Sequence, residues 1–121
     1  MFTVTIETQF KASHSVLTSE GTSEPEHEHF WAVAVEVGAS NLNDRGMAVD
    51  FAKLKAKIND ITSHLSGSSL NEVEYFKKRR ATAESVAEYV FNKIEAEMPA
   101  GVRLEGVTVS EQVGCSAKYY K

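Results

Sequence analysis

His27-Glu28-His29-Phe30-Trp31-Ala32-Val33-Ala34-Val35-Glu36-Val37, residues 27–37, sets the pattern from which the rest of the chain is read. Trp31, Val33, Val35 and Val37 recur at every second position, the period of a strand with one buried face. The spacing predicts a strand from His29 to Val37, ending near Gly38. Side chains on a strand alternate faces, so His27 and His29 share the face of Trp31 and the valines. Two imidazoles at adjacent same-face positions can converge on one ion. His14 lies just past another strand-like run, Phe2–Phe10, and can close a three-nitrogen set. Three protein nitrogens with a fourth position open is how a catalytic zinc is held, and a structural zinc is not. The alternative is a half-buried, hydrogen-bonded histidine pair, because an isolated H-x-H is common.

Outward from that strand, Phe2, Val4 and Ile6 alternate on one face of the first run. A polar loop, Thr18–Pro25, separates the two strands, and Asn41–Gly46 reads as a turn. The period then changes. Phe51, Leu54, Ile58, Ile61 and Leu65 step by three or four, placing them on one stripe of a helix with Asp50 as its N-cap. Ser66-Gly67-Ser68-Ser69 breaks that helix, and His64 falls in its solvated last turn. Lys77-Lys78-Arg79-Arg80 reads as a solvated loop, with phosphate contact as the competing role. A second helix is expected from about Thr82, its cap, to Met98, with Val86, Val90 and Ile94 inward. Pro99-Ala100-Gly101 stops it, and two strands follow, Val102–Ser110 and Cys115–Lys121. The order β-β-α-α-β-β implies an α+β fold, an antiparallel four-stranded sheet with two helices on one face. Four strands cannot close on themselves, so the exposed edges predict a homo-oligomer that completes a barrel.

A chain of 121 residues is expected to form a single domain over 1–121. No apolar run is long enough to span a bilayer, and Met1-Phe2-Thr3-Val4 lacks the layout of a secretion signal. The net charge of −4 argues against a nucleic-acid surface. A lone cysteine, Cys115, leaves no internal disulfide and fits a cytoplasmic protein; on the last strand it is expected to be small and buried.

Six segments together resemble the 6-pyruvoyl- and 6-carboxy-tetrahydropterin synthases, the family of the tunnelling fold. Phe10-Lys11-Ala12-Ser13-His14 is similar to the first zinc-ligand segment, and His27-Glu28-His29-Phe30-Trp31 to the H-G-H segment that supplies the other two ligands. Gly46–Lys55 resembles the entry into the first helix, Leu70-Asn71 the L-N after it, and Thr82–Ala87 the start of the second. Ser110-Glu111 followed by Cys115–Tyr119 resembles the last hairpin. The resemblance implies Zn2+ held by His14, His27 and His29, and a lyase acting on 7,8-dihydroneopterin triphosphate or a related pterin. It implies Glu111 as the pterin anchor, since an ionised carboxylate accepts two parallel N–H bonds from an aminopyrimidinone edge. Thr82 would stand at the same pocket, although a helix cap accounts for it equally. Trimers or hexamers with active sites between subunits are expected on the same ground.

Departures from the family pattern bear on the acid/base chemistry. The family's cysteine position is Ser23, and its Asp-His pair is replaced by Ser66 and Gly67. A serine hydroxyl has too high a pKa to replace a thiolate without a neighbouring base. Glu28, between the ligands, is expected to face away from the metal, while Phe30 and Trp31 are expected to reshape the pocket wall. Some family branches place a glutamate near the cysteine's position and cleave the side chain. Glu24, with Glu26 second, is therefore the candidate acid/base group. The alternative function is a non-catalytic zinc- and pterin-binding homologue.

Overall fold

The computed structural model describes residues 1–121. Strand β1 (Phe2–His14) and strand β2 (His27–Ala39) form an antiparallel ladder in unbroken register, from Phe2 opposite Ala39 to His14 opposite His27. Both outrun the alternating apolar stretches because cross-strand hydrogen bonds continue to the histidines. The side chains there remain useful to the core: Ala12 and His14 are as buried as Phe10. Strands β3 (Val102–Gln112) and β4 (Cys115–Tyr119) complete a four-stranded antiparallel sheet in the order β1-β2-β3-β4.

One face of the sheet is covered by helices. Helix α1 (Phe51–Ser63) packs on β1, and helix α3 (Ala83–Glu95) lies over β3 and β4. Asp50 caps α1 by accepting from the Lys53 N–H at 3.2 Å. Thr82 caps α3 by accepting from the Ser85 N–H at 3.2 Å. Leu54, Ile58, Ile61 and Leu65 from the first helical segment meet Val86, Val90, Phe91 and Ile94 from α3 over Trp31, Val33, Val35 and Val37. The alternation that opens the reading of the sequence is thus the floor of the core. Each of those four β2 side chains is at most 1% exposed.

Several sequence expectations are corrected. Phe51 is 58% exposed, because the first residue of α1 overhangs the sheet's end; it lines a cavity of about 330 Å³ with Phe2, Leu42 and Met47. The basic run is not a loop: Glu74–Arg79 forms a short helix, α2, so three helices stand where two were expected. Glu74 in its first turn and Lys77, Lys78 and Arg79 in its last complement the helix dipole, and buried Phe76 anchors it. Helix α3 ends at Glu95, short of Met98, where the last residues tighten into a turn. Cys115 is exposed at the β3–β4 hairpin, with its thiol beside the Gln112 amide at 3.5 Å.

The alternation Val102, Leu104, Gly106 also fails midway. The register with β2 slips so that Leu104 faces Val37 while Gly106 faces Glu36, which leaves Glu105 as an extra, bulged residue. Beyond the bulge the parity is reversed, and Val107 and Val109 become the buried side chains. Beside the bulge, Gly38 lets the Glu105 carboxylate and the Arg103 guanidinium lie across its Cα, where a Cβ would have to push those side chains aside.

Candidate metal centre

The site is built where two strands end and one begins. His14 is the last residue of β1, His27 opposite it is the first of β2, and His29 follows on the same face. Their ring centroids lie 4.7 Å (His14–His27), 5.3 Å (His14–His29) and 4.5 Å (His27–His29) apart. Each offers one ligand nitrogen, and these nitrogens all fall within 4.8 Å of one another. The set is graded in depth. His14 is 1% exposed, whereas His27 and His29 are partly open to solvent. Trp31 forms the floor, its ring edge-on to His14 at 4.8 Å and its indole N–H donating to the Ala12 carbonyl at 3.1 Å.

Backbone carbonyls orient two of the rings. His14 Nδ1 lies 2.6 Å from the Ala81 carbonyl, and His27 Nδ1 lies 3.0 Å from the Pro25 carbonyl. A carbonyl oxygen only accepts, so each Nδ1 donates its proton there and each Nε2 is the nitrogen turned toward the site. That is the outer support a metal-binding histidine ordinarily has. Burial, and then the neighbouring His27, push the His29 pKa below the ordinary histidine value. The neutral imidazole so favoured is the form that binds a cation.

Two carboxylates stand at the rim. Glu111 Oε2 lies 2.8 Å from His14 Nε2 and 3.9 Å from His29 Nε2. Glu24 Oε1 lies 3.6 Å from His27 Nε2. His14 Nε2 and Glu111 Oε2 are buried and have no hydrogen-bond partner. An unpartnered buried polar atom costs about 1–3 kcal/mol, and here two acceptors share the deficit. A divalent cation answers both, and three imidazole nitrogens match the donor preference of zinc.

The sequence model described as 6-pyruvoyl tetrahydropterin synthase matches residues 3–121. The chain belongs to the 6-pyruvoyl tetrahydropterin synthase family. It is 33% identical over 88 residues to a putative 6-pyruvoyl tetrahydrobiopterin synthase of Caenorhabditis elegans, a match covering 70% of this chain and 60% of that relative. The match thus spans less than two thirds of the relative's length. A solved structure of Caenorhabditis elegans 6-pyruvoyl tetrahydropterin synthase superimposes with a TM-score of 0.80 at 28% identity, over 100% of this chain and 97% of that one. The Plasmodium vivax 6-pyruvoyltetrahydropterin synthase, solved with a catalytic glutamate replaced by alanine, gives a TM-score of 0.76 at 18% identity, over 99% and 97% of the two chains. That likeness shows a shared fold.

Against the synthase pattern, each departure has a definite place. Ser23 forms an isolated bridge with Leu17, and Ser66 is exposed. Gly67 adopts φ 76° and donates its N–H to the Lys11 carbonyl at 2.7 Å, so this turn is shaped for glycine and carries no acid/base side chain. Of the two candidate glutamates, Glu24 faces His27, while Glu26 accepts from the Ser69 hydroxyl at 2.7 Å. Glu28 pairs with Lys11 at 3.3 Å, away from the rings. Phe30 does not line the site: it is 66% exposed on the opposite face of the sheet, with the Lys11 ammonium over its ring. Thr82 serves as the α3 cap, one residue from the Ala81 carbonyl that holds His14. The carbonyls of Ala81 and Pro25 were invisible to sequence reasoning, because every residue has one and only the fold aims it.

Proposed function

We propose that this chain is a zinc-dependent lyase of pterin metabolism, acting on 7,8-dihydroneopterin triphosphate or a close relative and cleaving its side chain with Glu24 as the acid/base group. Three histidine nitrogens within 4.8 Å of one another, flanked by Glu24 and Glu111, are the observation that carries the reading. When bound by His14, His27 and His29, zinc supplies a Lewis acid that polarises a substrate oxygen.

The remaining work falls to the chain. Glu111 accepts two N–H bonds from the aminopyrimidinone edge and so fixes the ring's orientation. Glu24, beside the half-open His27, takes a proton from the side-chain hydroxyl. After the carbon–carbon bond breaks, the same carboxyl returns the proton to the carbon left on the pterin. The Ala81 and Pro25 carbonyls hold the imidazoles in one tautomer throughout. The Plasmodium vivax relative has a catalytic glutamate, which supports a carboxylate in this role. With Ser23, Ser66 and Gly67 at the family's cysteine and Asp-His positions and Glu111 assigned to the pterin ring, Glu24 is the remaining carboxylate beside the histidines.

Both edge strands, β1 and β4, present unpaired backbone groups, which supports a homo-oligomer, a trimer or hexamer, with sites at the boundaries between subunits. Light scattering at micromolar concentration checks this; a monomeric mass refutes it.

The reaction is tested by incubating zinc-loaded protein with dihydroneopterin triphosphate and weighing the products. A hydroxymethyl-dihydropterin is expected. Glu24→Gln should lower turnover by roughly 10²- to 10⁴-fold while retaining the metal. Undiminished turnover would remove Glu24 from the mechanism, and substrate that binds unchanged would reduce the protein to a pterin binder.

A further inference from the structure

Glu111 stands closer to the histidines than a pterin anchor requires. Its Oε2 approaches His14 Nε2 to 2.8 Å, and both atoms are sealed from solvent. His14 Nδ1 is committed to the Ala81 carbonyl, so Nε2 is the ring nitrogen left to face the carboxylate. A proton between the two atoms would resolve the clash, but it would align as an N–H···O bond, and no aligned bond joins them. The two acceptors therefore lie side by side and not head-on. Neighbouring ligands of one ion are arranged in that way, each directing its lone pair at a third point. The same oxygen is 3.9 Å from His29 Nε2.

Glu111 lies on β3 two residues beyond Val109, whose side chain is fully buried. Two irregularities in β3 set where its side chain falls: the bulge at Glu105 in the pairing with β2, and a second register shift between Val109 and Gln112 in the pairing with β4. Regular alternation from Leu104 would have turned Glu111 to the opposite face.

We infer that Glu111 is the fourth ligand of the resting metal centre, and that a bound pterin opens the centre by drawing this carboxylate onto its own N–H edge. The inference rests on the zinc reading above. One carboxylate cannot close the metal site with Oε2 and also accept two parallel N–H bonds with both oxygens. Pterin binding and closure of the site are therefore mutually exclusive. The open coordination position appears only when the ring is in place, which keeps the ion from water and stray anions until then.

Zinc affinity, measured by competition with a chromophoric chelator, and the visible spectrum of the cobalt(II)-substituted protein test this without any turnover. Glu111→Gln should weaken zinc binding by roughly 10- to 100-fold, at least the range seen when an outer partner is lost. It should also shift the cobalt bands. Pterin lacking a side chain should shift the wild-type bands in the same direction and leave the bands of the variant in place. Glu111→Asp, which keeps the carboxylate, should recover part of the zinc affinity and so separate ligation from misfolding. Unchanged affinity and spectrum in Glu111→Gln would overturn the inference while leaving the three-histidine site standing. A wild-type protein that takes up neither zinc nor cobalt would overturn the metal reading itself.

Discussion

The two ends of the sheet handle polar groups in opposite ways. At the far end Glu105 accepts from the Thr3 hydroxyl at 2.8 Å and lies 3.8 Å from Arg103, all of it in contact with water. At the histidine end the chain buries His14 Nε2 and Glu111 Oε2 with a hydrogen-bond partner for neither. Arg80, two residues before the α3 cap, holds φ 70° and ψ 156°, a conformation nearly reserved for glycine. Its neighbour Ala81 supplies the carbonyl that fixes His14. Unsatisfied atoms and backbone strain are therefore concentrated at one end. A fold retains such costs where binding energy from outside can offset them.

The sharpest way to break this comparison is His14→Ala. Zinc in hundredfold excess over its Kd should stabilise the wild-type protein by about 2.7 kcal/mol, through binding to the folded state alone. The variant should lose the zinc-dependent rise in Tm altogether, as read by thermal unfolding with and without a chelator. A variant that still responds to zinc would place the ion elsewhere. Next in size is Arg80→Gly, which removes the strain at a position already glycine-like. The urea midpoint should rise by the equivalent of about 1 kcal/mol, part of the 1–3 kcal/mol held there being returned to glycine's greater freedom when unfolded. A lower midpoint would show that the arginine side chain supports the fold. Smallest is Glu105→Gln at the satisfied end. Losing an exposed, water-screened pair should change stability by less than about 1 kcal/mol in the same assay. A larger loss would mean that the bulge depends on this charge and that the two ends are not so different.

Much of this was legible from spacing. Period two from Trp31 to Val37 marks a strand, and period three to four from Leu54 to Leu65 marks a helix, because each pattern repeats within a few residues. Asp50 and Thr82 were readable as caps for the same reason. Phe51 was misread because a stripe does not say where the sheet beneath it ends. The helix at Glu74–Arg79 was hidden, since it is only six residues long and two adjacent aromatic side chains, Phe76 and Tyr75, hold it, too few to show a period among the charges. Cys115 was assigned to a buried face that the short β4 does not offer it.

The family, the four strands with the two long helices between them, and the three histidines could be read from the chain alone, because the identity and spacing of residues carry that information locally. The tertiary structure decided which groups those histidines meet. Register slips along β3 turned Glu111 toward them, a hydrogen bond from the Ser69 hydroxyl took Glu26 away and left Glu24, and Ala81 lent a carbonyl from another element. Each depends on register or on contact between segments far apart in the chain, and the parity of a strand is fixed only when it pairs with its neighbour.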